Sequence, residues 1–228
     1  MIKQRFSAVI PAAGIGQRMA ADSPKQYLPI NGKAILSYSV ELFLDEPSIA
    51  QVVIALHPDD HWFNQLAISK HPKVTTVIGG AERVDSVLAA LAQLSDDDWV
   101  LVHDAARPCL TPTDLHKLLT LAQKGESAIL ACPVRDTMKW AGATGLIEHT
   151  VDRRALWHAM TPQSFNCGLL RQVLKDAVNA NVHVTDEASA MEWAGFAVRL
   201  VRGRYDNLKV THPEDLPLAE FLIARQTR

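Results

Sequence analysis

Short apolar runs rich in β-branched residues recur along this 228-residue chain, separated by stretches with helical spacing. The runs are Ser7–Pro11, Gln51–Leu56, Val74–Ile78, Trp99–His103 and Ser127–Pro133. The helical patterns between them are Ile35–Asp45, Asp60–Ser69, Glu82–Leu94 and Thr113–Lys124, with Thr111-Pro112-Thr113 ahead of Asp114 as a helix-start signal. Such alternation predicts an α/β fold, a mostly parallel sheet covered by helices on both faces. Hydrophobic residues make up 48% of the chain, which is enough for a packed core and argues against global disorder.

The rhythm breaks after Pro133. Val134–Val151 carries Gly142 and Gly145 between Thr137–Trp140 and Leu146–Val151, which reads as a hairpin or arm. The α/β pattern then resumes with helical Gly168–Asn179 and Asp186–Trp193, a strand at Ala197–Val201 and a closing helix at Pro213–Arg225. No internal repeat, low-complexity tract or linker divides the chain, so residues 1–228 read as a single domain with a protruding β-arm at 134–153.

The segment Phe6–Gln26, FSAVIPAAGIGQRMAADSPKQ, carries the first chemical signal. A strand ends at Pro11, and a loop of small residues follows: Ala12, Ala13, Gly14 and Gly16. Arg18 and Lys25 come next, with Lys25 inside Pro24-Lys25-Gln26. Exposed backbone N–H groups and fixed cations at a strand's carboxyl end suit a polyphosphate. The loop is neither a dinucleotide fingerprint, which wants glycine where Met19 stands, nor a Walker A, because Gly32-Lys33 is followed by Ala34. The glycines alone suit an ordinary turn equally well, and the two cations with Pro24-Lys25-Gln26 favour nucleotide binding.

Three further clusters follow strands or turns. WVLVHDAARP (Trp99–Pro108) runs a strand into Asp104, Ala105 and Arg107, and a carboxylate there suits Mg²⁺, although taken alone a turn cap is the plainer reading. Gly79-Gly80-Ala81-Glu82-Arg83, with Ser86, opens a helix after a strand. Its glycines permit close approach to a base or sugar, and the plainer reading is a tight turn with Arg83 solvated. Asp206-Asn207-Leu208-Lys209-Val210 offers a second Mg²⁺ carboxylate and a phosphate contact, or simply a polar turn before a short strand. Arg135-Asp136-Thr137 and Thr150–Arg154 read as a solvated face, a dimer contact or a second phosphate site.

Other signals are weaker. His57 and His61 have Pro58 between them, HExxH is absent, and no glycine-flanked serine nucleophile occurs. The five tryptophans are scattered, as core, arm or interface residues are. Cys109, Cys132 and Cys167 are odd in number and far apart, fitting neither a disulfide framework nor a zinc site, so reduced thiols in a cytoplasmic protein are expected. The N-terminus lacks a secretory apolar region, and no stretch approaches a membrane span. A net charge of -2 gives no general attraction to nucleic acid or an anionic membrane, so any anionic ligand needs local cations.

Pro11–Met19 with Pro24-Lys25-Gln26 resembles the signature loop of sugar- and polyol-phosphate nucleotidyltransferases. HDAARP, GG-x-x-R-x-x-S (Gly79–Ser86), VRDT (Val134–Thr137), HTVDR (His149–Arg153), TPQ-x-F (Thr161–Phe165) and TDEASAMEWAG (Thr185–Gly195) narrow the resemblance. Together they point to the 2-C-methyl-D-erythritol 4-phosphate cytidylyltransferase family of the non-mevalonate isoprenoid pathway, over essentially the whole chain.

That resemblance implies a Rossmann-like nucleotidyltransferase fold and transfer of CMP from CTP to the polyol phosphate, releasing pyrophosphate with Mg²⁺ present. It matches Arg18 and Lys25 to transition-state-stabilising cations, and Arg153 and Lys209 to residues positioning the acceptor phosphate. Pro11, Ala12, Ala13, Gly14, Gly16, Gly80, Ser86 and Ala105 match the CTP pocket. Asp104, Arg107, Thr137, Thr161 and Thr185 match the acceptor pocket, and Asp104 and Asp206 the acidic positions near Mg²⁺. It implies a homodimer with an exchanged arm, in which Arg107, Thr137 and Arg153 reach the partner's site. Ala81 departs from members with an acidic residue there, leaving only a backbone contact at that position. Competing readings are a ribitol 5-phosphate cytidylyltransferase, a non-catalytic nucleotide-binding regulatory module, and a nicotinamide dehydrogenase, the last disfavoured by the missing third glycine.

Overall fold

The computed structural model describes residues 4–14 and 23–226. In chain order the strands are β1 (Phe6–Pro11), β2 (Pro29–Ile30), β3 (Lys33–Ala34), β4 (Ile49–Leu56), β5 (Val74–Ile78), β6 (Trp99–Val102), β7 (Ala128–Pro133), β8 (Met138–Ala141), β9 (Ile147–Val151), β10 (Trp157–Asn166) and β11 (Arg199–Arg202). The helices are α1 (Ile35–Asp45), α2 (Arg83–Leu91), α3 (Pro112–Ala122), α4 (Cys167–Asn179), α5 (Glu187–Trp193) and α6 (Asp215–Gln226). The main sheet has seven strands in the order β11-β7-β10-β6-β1-β4-β5. All its strands are parallel except β10, which runs against both β6 and β7.

Side-chain alternation along β1 explains the two core layers. Ala8 and Ile10 face α1 and α3, packing with Leu36, Val40, Phe43, Leu115 and Leu118. Val9 faces the opposite layer, with Val87 and Leu91 of α2 and Leu170 and Leu174 of α4. Both faces are covered, so apart from the buried Ser7 the interior of β1 is apolar and Ala8–Ile10 reads as a continuous run. α3 begins as its sequence predicts: Thr111 Oγ1 accepts the Asp114 N–H at 3.3 Å, and Pro112 occupies the first turn.

Three elements differ from the sequence reading. Asp60–Ser69 is not one helix but two tight 3-10 turns, Phe63–Gln65 and Ala67–Lys70. Phe63 and Ile68 are both buried, whereas five residues along an α-helix would set them about 140° apart. Asp60 Oδ1 also accepts the Trp62 and Phe63 N–H groups, closing the chain early. The small β2–β3 hairpin is absent from the sequence reading, although Asn31-Gly32, with φ of 49° and 77°, is a turn signal. Strand β10 is absent from it too, because Pro162 argues against a central strand. The proline is tolerated because β10 loses register with β7 between Ala159 and Gln163. At 206–211, where a short strand is one reading, the chain is irregular.

β8 and β9 pair only with each other. Trp140 is 59% exposed and Leu146 72%. The arm's root is held where the Arg135 guanidinium lies 3.1 Å from the Tyr205 ring centroid and the Tyr205 hydroxyl donates to Pro133 O. The three cysteines are free and buried. Burial pushes Cys109 and Cys167 up to about 12, so both stay as inert thiols. Among the described residues no helix is long and apolar enough to cross a membrane.

The register Gln163↔Val102 makes β10 an integral strand, with Phe165 fully buried. Phe165→Ala is therefore expected to cost about 3–5 kcal/mol in urea unfolding. A loss below about 1 kcal/mol would contradict the central place of β10.

Candidate active site

The loops after β1, β5 and β6 open on one edge of the sheet, at the carboxyl ends of parallel strands. Ala12 N–H donates to Ala55 O at 2.8 Å, and Gly79 N–H donates to Leu56 O at 2.8 Å. The Gln26 amide donates to both Ala12 O and Gly14 O, so this side chain staples the small-residue loop from within. The glycine pair follows from close approach. A Cβ on Gly79 would lie 2.6 Å from Ala13 Cβ and Ser86 Oγ, and one on Gly80 would overlap Asp85 Cβ. Gly80 N–H donates to Ser86 Oγ, and a Glu82/Asp85 capping box starts α2.

Pro11, Ala12, Ala13, Gly14, Lys25, Gly80, Ser86, Asp104, Ala105 and Lys209 line one cleft, with Arg83 and Gln26 among its other walls. A second hollow is lined by Arg107, Thr161, Gln163 and Thr185, together with Arg83, Asp104 and Lys209. The two hollows thus share a wall of Arg83, Asp104 and Lys209.

At that wall, Asp104 Oδ1 lies 3.4 Å from Arg83 Nη2, while its Oδ2 lies 3.0 Å from Lys209 Nζ and 3.4 Å from Arg107 Nε. Burial opposes a charge on Asp104, but the Arg83, Lys209 and Arg107 cations win and hold it far below the usual carboxylate range. The Lys25 ammonium donates to Val210 O at 3.2 Å, next to Lys209. Behind the wall His103 is fully buried, and burial lowers it from 6.5 to about 4, so its ring is neutral.

Several sequence expectations change. Arg83 is not solvated: it makes two hydrogen bonds to the buried Glu187 carboxylate, at 2.6 and 3.1 Å, as well as reaching Asp104. Arg107 is turned into its own chain. Its guanidinium is buried against its own chain's Asp104 and donates to Asn207 O, because it sits three residues beyond Asp104 on the same loop. Asp206 does not join Asp104 at the cleft, since both its oxygens are held by Arg204. Thr137 and Arg153 lie exposed on or beside the arm and line neither hollow of their own chain; Arg153 donates to Arg135 O. Gly16 and Arg18 fall outside the described residues. His103, Gln163 and Glu187 are letters of the HDAARP, TPQ-x-F and TDEASAMEWAG motifs, but nothing in their spacing marks them as site residues.

The family model described as 2-C-methyl-D-erythritol 4-phosphate cytidylyltransferase (IspD) matches residues 6–225. The chain belongs to that family. It is 58% identical to the enzyme of that name from Shewanella oneidensis over 219 residues, 96% of this chain and 88% of the relative. It is 54% identical to the one from Vibrio vulnificus over 224 residues, 96% and 94% of the two chains. A crystal structure of 4-diphosphocytidyl-2C-methyl-D-erythritol synthase superposes with a TM-score of 0.84 at 36% identity, covering 98% of this chain and all of the other. The Francisella tularensis cytidylyltransferase (IspD) gives 0.84 at 34%, covering 96% and 100%. The chain is therefore a nucleotidyltransferase that takes its cytidylyl group from CTP. The ribitol phosphate, regulatory-module and dehydrogenase readings are set aside.

The buried Arg83–Glu187 pair yields a stability test. Arg83→Met strands a buried carboxylate and is expected to cost about 3–5 kcal/mol in chemical unfolding, whereas adding Glu187→Leu recovers most of that loss. A double variant no more stable than the single one would contradict the pairing.

Proposed function

We propose that this chain joins CTP and 2-C-methyl-D-erythritol 4-phosphate across the Arg83–Asp104–Lys209 wall, by in-line attack of the acceptor phosphate on the CTP α-phosphorus. The observation that carries the reading is that two hollows meet at one cationic seam. The first offers backbone groups and glycines for a nucleotide, and the second offers Arg107, Thr161 and Thr185 for an anionic polyol. Attack of one anion on another is opposed by charge repulsion, and preorganised cations lower that barrier. An ionised phosphate needs no general base. The neutral, enclosed His103 agrees with this.

In this reading Pro11–Gly14, Gly80, Ser86 and Ala105 hold the nucleotide, with Gly16 in the same role. Lys25 and Arg18 neutralise charge that builds on the α-phosphoryl oxygens. Lys209 and Arg107 orient the acceptor phosphate within their own chain.

Among the described residues no resident Mg²⁺ site is made. Asp104 and Asp206 are engaged by cations, and no three His, Cys, Asp or Glu side chains gather among the described residues. Mg²⁺ enters as the CTP complex, as its preference for phosphate oxygens allows. The arm's exposed Trp140, Leu146 and Ile147, on a hairpin that is marginal alone, support a homodimer that delivers Thr137 and Arg153 to the partner's acceptor hollow. Three free thiols support a cytoplasmic location.

Lys25→Ala is expected to lower kcat by on the order of 10²–10³-fold with CTP and Mg²⁺ saturating, and to weaken CTP binding less. Near-normal turnover would remove Lys25 from the mechanism.

The shared site is tested by complementation. In a mixed dimer of Lys25→Ala and Arg153→Ala chains, one site carries both lesions and the other neither. About half of wild-type activity should return from two nearly inactive parents. A purified mixed dimer without recovery would place Arg153 in its own chain's site.

A further inference from the structure

His103 follows β6 in full burial and lines neither hollow, yet its ring nitrogens join two residues that line the second one. Nε2 lies 3.1 Å from Arg107 O, and Nδ1 lies 3.0 Å from Thr161 Oγ1. A carbonyl only accepts, so the proton must sit on Nε2. Nδ1 is then bare and accepts the Thr161 hydroxyl proton. Thr161 Oγ1 in turn accepts the Asp104 N–H at 3.0 Å, and the Asn207 amide donates to Thr161 O at 2.8 Å. The chain of bonds is continuous, and its donors and acceptors fall in compatible roles. It runs from the backbone of Asp104 through Thr161 and His103 to the backbone of Arg107. The ring is held sideways by Phe43, with centroids 5.4 Å apart.

We propose that His103 is a positioning residue for the acceptor side of the site: its Nε2–H tautomer fixes the Thr161 hydroxyl and the Arg107 main chain in one geometry. The inference rests on the acceptor-side assignment of Thr161 and Arg107 made above. The Thr161 link is the decisive one. Without a bare nitrogen opposite it, the hydroxyl loses its acceptor, and nothing then fixes the side chain that receives the Asp104 N–H. The nucleotide loop is held separately, by Gln26 and by the β5–α2 turn. Asp104, which also lines the nucleotide cleft, keeps its three cations without His103, so the loss of His103 is expected to fall on the acceptor side.

The variants separate the two nitrogens. In His103→Asn, the amide oxygen takes the place of Nδ1 and can still accept from Thr161. In His103→Gln, the amide nitrogen takes the place of Nε2 and serves only Arg107 O. In His103→Phe, the ring and its contact with Phe43 remain and both hydrogen bonds go. Each is assayed for kcat and KM with the polyol phosphate as the varied substrate and CTP saturating. CTP affinity is measured by calorimetry without acceptor, and folding is checked by thermal unfolding.

The expected result is a fall in acceptor kcat/KM of about 10-fold for Gln and about 100-fold for Phe, with Asn within about threefold of wild type. CTP affinity should stay within about twofold in all of them. Equal losses in Asn and Gln, no loss in either, or a parallel loss of CTP affinity would overturn the proposal. If Phe does not fold, the Asn–Gln difference decides the matter. Thr161→Val separates the two layers of the argument. If it leaves acceptor kinetics unchanged, the acceptor-side assignment is wrong, and His103 has nothing there to position. If Thr161→Val impairs the acceptor while Gln and Asn behave alike, only the role of His103 falls.

Discussion

A single buried carboxylate organises this molecule's working edge. Asp104 is nearly inaccessible, and an isolated ionised carboxylate in such a place would take up a proton. It stays charged because Arg83, Arg107 and Lys209 converge on it. These cations come from the start of α2, the loop after β6 and the irregular segment before α6, which are far apart in sequence. One desolvated charge therefore pins three chain segments, and the two hollows exist because those segments are held together. Arg83 carries the constraint one step further, to Glu187 at the start of α5, which fixes the loop bearing Thr185. A surface ion pair would do little of this. Here the geometry is enforced because breaking one contact leaves another charge buried without a partner.

What the sequence disclosed, and what it hid, follows from the range of the interactions. Local patterns were legible. α1 runs over Ile35–Asp45 as its apolar spacing predicts, and the five strand-forming runs all appear as strands. The family motifs, read in order along the chain, led to the cytidylyltransferase family. The order β11-β7-β10-β6-β1-β4-β5 was not legible, because it depends on which helix crosses which face. β10 escaped because its bulge and proline mask a strand that is central by virtue of its neighbours.

The site divides along the same line. Residues on strand-end loops, such as Ala12, Gly80 and Asp104, are legible because the loop itself is a pattern. Arg83 reads as a solvated helix residue because its partners, Glu187 and Asp104, are 104 and 21 positions away. Arg107, expected to face outward, instead turns in towards Asp104, the residue that most needs a cation. His103 looks like the last residue of a strand until the antiparallel pairing of β10 on β6 brings Thr161 within hydrogen-bond reach of it. Sequence spacing reports which side chains share a face, and it is silent on which distant charge will neutralise them.

The three cysteines have a use unconnected with catalysis. Cys109 lies against Ala219 O beneath α6, Cys132 against Gly203 O inside β7, and Cys167 at the head of α4 against Leu91 O. All are buried, and burial holds their protons on. A thiol reagent reaches them only when the surrounding element opens, so each labelling rate records the opening of one region. The chain thus carries three native clocks, in a turn beneath a helix, in an internal strand and at a helix start. With them, the breathing of the sheet's two faces can be timed without adding a probe.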